Sequence, residues 1–205
     1  MPEPLETIEI ETGPTPRASV ILMHGLGADG NDLVPMVPEL GLADTLSVRF
    51  VLPHAPMRPV TLNRGYVMRA WYDIVERGGE WREDAASVRE SGRLVEALLE
   101  REKRRGIPAQ QIVLAGFSQG GAMALYAGLR HGERLAGVLA LSCALPLADA
   151  LAAAATPANR ELPIFMAHGT HDPVVQLARA TRSRDLLARL GYRVTWREYP
   201  MAHSI

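Results

Sequence analysis

Short, β-branched apolar runs alternate along this chain with stretches whose apolar residues recur every three or four positions. The short runs lie at residues 6–11, 18–23, 48–52, 111–117, 135–142, 162–168 and 192–199, and predict strands. Between them, Ala85, Val88, Val95, Leu98 and Leu99 keep roughly helical spacing, which predicts a long helix opening near Asp84. A helix-compatible run follows at 121–127, and another helix is predicted from about Val174 to Leu190, closed by Gly191. The order strand, helix, strand predicts an α/β fold with a mostly parallel central sheet flanked by helices on both faces. Residues 6–11 read as an antiparallel edge strand. Residues 53–83 break the pattern: Pro56, Pro59, Gly65, Gly78 and Gly79 are interleaved with Trp71, Tyr72 and Trp81. A long irregular loop in a compact domain is usually functional, so this segment is expected to govern substrate selection. It is too short to form a large lid, and an open groove is expected.

Composition narrows the classes. The chain of 205 residues reads as one domain spanning 1–205, without repeat or linker. Its 22 basic and 23 acidic residues create no field for nucleic acid. The basic cluster at 101–105 ends the long helix, where positive charge suits the helix dipole. Cys143 is the sole cysteine, so neither an intrachain disulfide nor a four-cysteine zinc site can form, and its apolar run predicts a buried thiol. Residues 1–6 are acidic and lack the basic and apolar regions of a signal peptide. The apolar tract 135–155 is interrupted by Pro146 and Asp149, so strand plus helix is expected there, with no stable membrane insertion. A cytoplasmic location follows as an expectation.

Chemistry enters at Gly116-Phe117-Ser118-Gln119-Gly120. A strand-like run precedes it and a helical run follows it, as in a nucleophile elbow. The glycines two before and two after the serine predict a turn too tight for a Cβ at either position. The five-residue pattern alone is weak, and its partners must follow in the order Ser, acid, His. Of six histidines, His203 is the one in the last loop after the last strand. Asp172 lies on the turn after the strand 162–168, at the sheet edge where open α/β sheets place their chemistry. Asp185 falls inside a helical pattern and Asp149 in the Ala-rich segment, so both fit less well. Pro173 suggests that Asp172 also caps the following helix. His24-Gly25-Leu26-Gly27 follows an early strand and can offer backbone N–H groups. Leu26 and Gln119 are the expected oxyanion donors. His24 precedes the serine in the chain and reads as structural.

The chain resembles the carboxylesterase/acyl-protein thioesterase family of small α/β-hydrolases. The resemblance rests on His24-Gly25-Leu26-Gly27-Ala28-Asp29-Gly30, Pro53-His54-Ala55-Pro56, Pro59-Val60-Thr61-Leu62-Asn63, Ala70-Trp71-Tyr72-Asp73, Gly116-Phe117-Ser118-Gln119-Gly120-Gly121, His168-Gly169-Thr170-His171-Asp172-Pro173-Val174-Val175 and Tyr199-Pro200-Met201-Ala202-His203. It implies the α/β-hydrolase fold and a triad of Ser118, Asp172 and His203. It further implies oxyanion donors at Leu26 and Gln119, and a substrate pocket with Leu26, Trp71 and Val175. Esters of carboxylic acids with short to medium acyl chains are the implied substrates, with thioesters as a further class and no metal or cofactor. An acyl-protein thioesterase or lysophospholipase is the alternative enzyme. A non-catalytic acyl-ligand or protein-binding module is the alternative of another class. A homodimer is compatible with the sequence but not indicated by it. Ala202 stands where the family usually has glycine, and a shifted loop is expected there. The family pattern continues past the histidine into a final helix, whereas this sequence ends at Ile205. A truncated and loosely held His203 is therefore expected.

Overall fold

The computed structural model describes residues 5–42 and 46–205. Residues 1–4, part of the stretch read for a signal peptide, lie outside the described residues. In chain order the elements are β1 (Thr7–Glu11), β2 (Ala18–Met23), α1 (Met36–Glu39), β3 (Val48–Pro53), β4 (Met57–Val60), β5 (Tyr66–Arg69), β6 (Ile74–Arg77), β7 (Glu80–Glu83), α2 (Ala85–Arg104), β8 (Ile112–Phe117), α3 (Gln119–Gly128), β9 (Gly137–Leu141), α4 (Leu151–Ala154), β10 (Ile164–Gly169), α5 (Leu177–Arg189) and β11 (Val194–Tyr199). Seven strands form the main sheet in the order β1-β3-β2-β8-β9-β10-β11. Only β1 runs antiparallel, pairing Thr7 with Pro53 and Glu11 with Arg49 along β3. The sheet is α/β-hydrolase-like, and the parallel register sets Met23 beside Gly116 and Gly169 beside Tyr199. Four chain exits that matter for the site, after β2, β8, β10 and β11, therefore leave one edge of the sheet together.

Alternation along the strands divides the core in two. Ile21, Met23, Val51, Leu114 and Met166 face α2, α3 and α5, where they meet Val88, Leu98, Ala122, Met123 and Leu187. Leu22, Phe50, Leu52 and Ala115 face the other way, against Leu33 and Val37. Helices thus lie on both faces, but unevenly: among the described residues the second face carries a short 3₁₀ turn, Gly30–Leu33, and α1. Val20, Val113, Leu139 and Phe165 are half-buried there. α2 starts where the sequence predicts, because the Asp84 carboxylate accepts the Ser87 N–H at 2.9 Å as an N-cap.

Two expectations need correction. Residues 53–83 are not irregular but contain two β-hairpins, β4–β5 and β6–β7. The second turns on Gly78 and Gly79 with φ of 63° and 81°, the paired positive φ of a tight hairpin turn. α5 opens at Leu177 and not at Val174. The N–H groups of Val174 and Val175 are taken by the Asp172 carboxylate, each at 2.8 Å, and the extended Gln176 then becomes the N-cap. Asp172 therefore organises a turn and caps no helix.

Candidate active site

The strand-to-helix turn after β8 holds Ser118 at φ 54° and ψ −122°. A non-glycine residue rarely adopts such a conformation, and the turn must be held by its surroundings. Both glycines of the pattern do this. A Cβ on Gly116 would lie 2.3 Å from the Gly120 carbonyl carbon, and one on Gly120 would lie 2.1 Å from the Met23 carbonyl oxygen. The backbones of β8, α3 and β2 meet here with no space for a methyl group.

Ser118, His203 and Asp172 form one hydrogen-bonded line. His203 Nε2 is 3.0 Å from Ser118 Oγ, and His203 Nδ1 donates to Asp172 Oδ2 at 2.7 Å. The second Asp172 oxygen is occupied by the Val174 and Val175 N–H groups. Burial pushes the Asp172 carboxyl up. The bonds from His203, Val175 and Val174 outweigh it and hold the group below the usual carboxylate range. The imidazole is seated firmly. Its ring packs on Phe117 at a centroid distance of 4.7 Å. Its loop is tied by His171 N–H to Met201 O at 3.1 Å and by the Ser142 hydroxyl to Ser204 O at 3.3 Å. The loosely held His203 expected from the sequence is not what these contacts describe. Ala202 is exposed, and its methyl leaves the histidine in line.

Gly169 contributes to this seating. A Cβ there would come within 2.4 Å of both Met201 O and Ala202 O, so only glycine lets the histidine loop press onto the end of β10. His168 lies fully buried beneath Asp172. Its Nε2 donates to Val175 O at 2.7 Å, bracing the same turn. The sequence offered no signal for either role, since His168 read simply as the end of a strand and Gly169 as part of the turn after it.

The loop after β2 lies over the serine. A Cβ on Gly25 would be 3.3 Å from Ser118 Cβ. His24 is structural. Ala55 N–H donates to its Nε2 at 3.0 Å, so its proton sits on Nδ1, which donates to Gly25 O at 2.7 Å. Burial holds its pKa below the usual histidine range, against the opposing pull of that carbonyl. Gly27 N–H donates to Arg69 O at 2.9 Å, and Trp71 Nε1 to His24 O at 2.9 Å. The intervening Leu26 N–H has no acceptor among the described residues. Gln119 is the first residue of α3, where helix N–H groups lack intrahelical partners. Both residues line the same cavity as Ser118.

That cavity has a volume of about 290 Å³, and its walls include Leu26, Tyr72, Ile74, Ala122, Leu145 and Val175. Trp71, expected as a pocket residue, does not line it. It is wholly buried, its ring tilted against His24 at a centroid distance of 5.5 Å and its indole bonded to the β2 loop. Trp81, on β7, is on the wall instead. Sequence reasoning also missed the Gln119 side chain. Its Oε1 accepts Trp71 N–H at 3.0 Å and its Nε2 donates to Tyr72 O at 2.9 Å, clamping residues 71–72 to the serine turn. Cys143 is buried as expected, with its thiol pKa pushed up to about 12 by burial. No cluster of potential metal ligands occurs among the described residues.

A strained serine on a strand-to-helix turn, at the C-terminal edge of a mostly parallel sheet, defines an α/β-hydrolase. The chain belongs to the phospholipase/carboxylesterase family, whose model matches residues 5–205. It is 43% identical over 196 residues to acyl-protein thioesterase 1 of Neurospora crassa, covering 91% of this chain and 80% of that protein. The corresponding protein of Gibberella zeae is 41% identical over 196 residues, covering 91% and 83%. Among solved structures, Arabidopsis thaliana SOBER1 matches with a TM-score of 0.86 and 29% identity over 92% of this chain and 91% of that one. Acyl-protein thioesterase 2 of Zea mays matches with a TM-score of 0.84 and 28% identity, covering 98% and 92%. Hydrolase chemistry of the esterase and thioesterase type goes with this family.

Proposed function

We propose that the protein is a serine carboxylic-ester hydrolase that works through an acyl-enzyme on Ser118. The observation that carries the reading is the continuous line from Ser118 Oγ through His203 to Asp172, opening on an apolar cavity. His203 Nε2 takes the hydroxyl proton as Ser118 Oγ attacks the acyl carbonyl. Asp172 keeps the other imidazole proton on Nδ1 and stabilises the imidazolium. The Leu26 and Gln119 N–H groups donate hydrogen bonds to the developing oxyanion, each contributing about 3 kcal/mol to the transition state. The alcohol or thiol leaves with the proton from His203. Water, deprotonated by the same nitrogen, then attacks the acyl-Ser118 ester and releases the acid. As written, these steps use protein groups and water alone.

A cavity of about 290 Å³ suits acyl chains of short to medium length. Similarity to proteins named acyl-protein thioesterase 1 extends the proposal to thioesters. Residues 1–205 are read as a single hydrolase domain acting in the cytoplasm on small acyl substrates. The described residues contain no helix long and apolar enough to cross a membrane. Initial rates on matched oxygen esters and thioesters of increasing acyl length test the reading, with Ser118→Ala as control. Hydrolysis should peak at short to medium chains and vanish in the variant while the melting transition persists. Full activity in Ser118→Ala would refute it.

A further inference from the structure

Tyr72 is 9% exposed and lines the cavity beside Ser118. Its position is fixed by the Gln119 side chain, which holds the Tyr72 carbonyl at 2.9 Å and the preceding N–H at 3.0 Å. Gln119 follows the nucleophile and offers its own N–H to the oxyanion in the proposed mechanism. Tyr72 is thus tied to the side of the site where the acyl carbonyl must lie. Nothing among the described residues hydrogen-bonds the Tyr72 hydroxyl, yet its oxygen is not sealed within protein. Buried tyrosine hydroxyls ordinarily find a partner.

Three charged residues, Arg82, Glu83 and Arg179, also line the cavity. Glu83 is engaged by the Leu147 N–H at 3.0 Å, and its other oxygen is 3.7 Å from Arg179. Glu83 and Arg179 balance each other, and Arg82 is paired with Glu80 at 2.6 Å, so this end of the cavity favours no net charge. It is nevertheless polar, while Leu26, Ile74, Ala122 and Leu145 make the rest apolar. A saturated acyl chain filling the cavity would cover the Tyr72 hydroxyl without offering it a hydrogen-bond partner. That arrangement penalises plain hydrocarbon.

We propose that the cavity selects acyl groups bearing a neutral oxygen, such as an ether, ketone or hydroxyl, which the Tyr72 hydroxyl hydrogen-bonds. The inference rests on the esterase reading and names the substrate class of that same site. Tyr72 is a specificity residue here and takes no part in the bond-making steps.

The test compares isosteric pairs of p-nitrophenyl esters, methoxyacetate against butyrate and levulinate against isocaproate, in the wild type and in Tyr72→Phe. Intrinsic reactivity differences between esters cancel when the kcat/KM ratio within each pair is compared across the two proteins. The ratio for at least one pair should fall roughly fivefold in Tyr72→Phe, the size of one net hydrogen bond, with the alkyl ester unchanged or faster. The melting temperature should hold, because the hydroxyl has no protein partner to lose. Ratios that stay the same, or alkyl and oxygenated esters that slow equally, would overturn the inference while leaving the esterase reading standing. Absence of Ser118-dependent hydrolysis for every ester would overturn the esterase reading, and this one with it.

Discussion

At the scale of single residues, the site is made by groups whose alternatives are closed off. Ser118 is held at positive φ by two glycines that admit no side chain. Relieving that conformation should be measurable. Ser118→Gly is expected to abolish hydrolysis and to raise stability by about 1 kcal/mol in urea denaturation. A destabilised Ser118→Gly would show that the turn is not strained. His24 gives a pH signature. Burial lowers its pKa in the fold, so the native state binds its proton less readily than the unfolded chain does. The stability it contributes is complete above the unfolded value of about 6.5 and is lost as pH falls through the lower native value. Thermal melts between about pH 8 and pH 5 should show a decline in the wild type that is shallower in His24→Asn. Parallel curves would remove His24 as the source. The serine turn was legible because glycine spacing reports backbone crowding directly. The Gln119 side chain was not, since its role depends on partners 48 and 47 positions away in sequence, and the place of Tyr72 on the cavity wall follows from that clamp.

At the scale of elements, strand ends decide which loops meet. β2, β8, β10 and β11 run parallel, so the loop after β2, the serine turn, the Asp172 turn and the His203 loop share one edge. The apolar runs of β2, β8 and β10 made this order readable, because buried parallel strands are nearly continuous apolar blocks. The hairpins in 53–83 escaped notice for the opposite reason. β6 and β7 are largely exposed, with Arg and Glu at most positions, so no apolar period marks them. The start of α5 was misplaced because Pro173 suggests a helix opening, while the Asp172 carboxylate takes the N–H groups that would begin it. The contact between Gly169 and the last loop makes a prediction at this scale. Gly169→Ala should push the Met201–Ala202 peptide away and lower kcat about 100-fold, since small displacements of a catalytic group are costly. Circular dichroism should show the fold retained. Wild-type kcat in this variant would mean that His203 does not depend on that contact.

At the scale of the whole molecule, one ion network joins the antiparallel edge to the helical face. Glu102 on α2 is fully buried, 3.0 Å from Arg49 on β3 and 2.9 Å from Arg105. Arg49 also reaches Glu11 on β1 at 2.8 Å. Arg49→Met should destabilise by about 3 kcal/mol, because it removes one partner of a buried carboxylate, and hydrolysis by the remaining folded protein should be unaffected. The network lies away from the candidate site, so stability and activity are expected to separate. The candidate site lies at the opposite end of the strands, where the line of Asp172, His203 and Ser118 meets the cavity at Ser118. The measurement that tests this most directly is peptide mass spectrometry after reaction with a fluorophosphonate, comparing the wild type with His203→Ala. One adduct per chain is expected, on the peptide carrying Ser118, formed at least 1000-fold more slowly in the variant, on the order of the loss when a triad member is removed. An adduct on another residue, or labelling of Ser118 at an equal rate without His203, would contradict it.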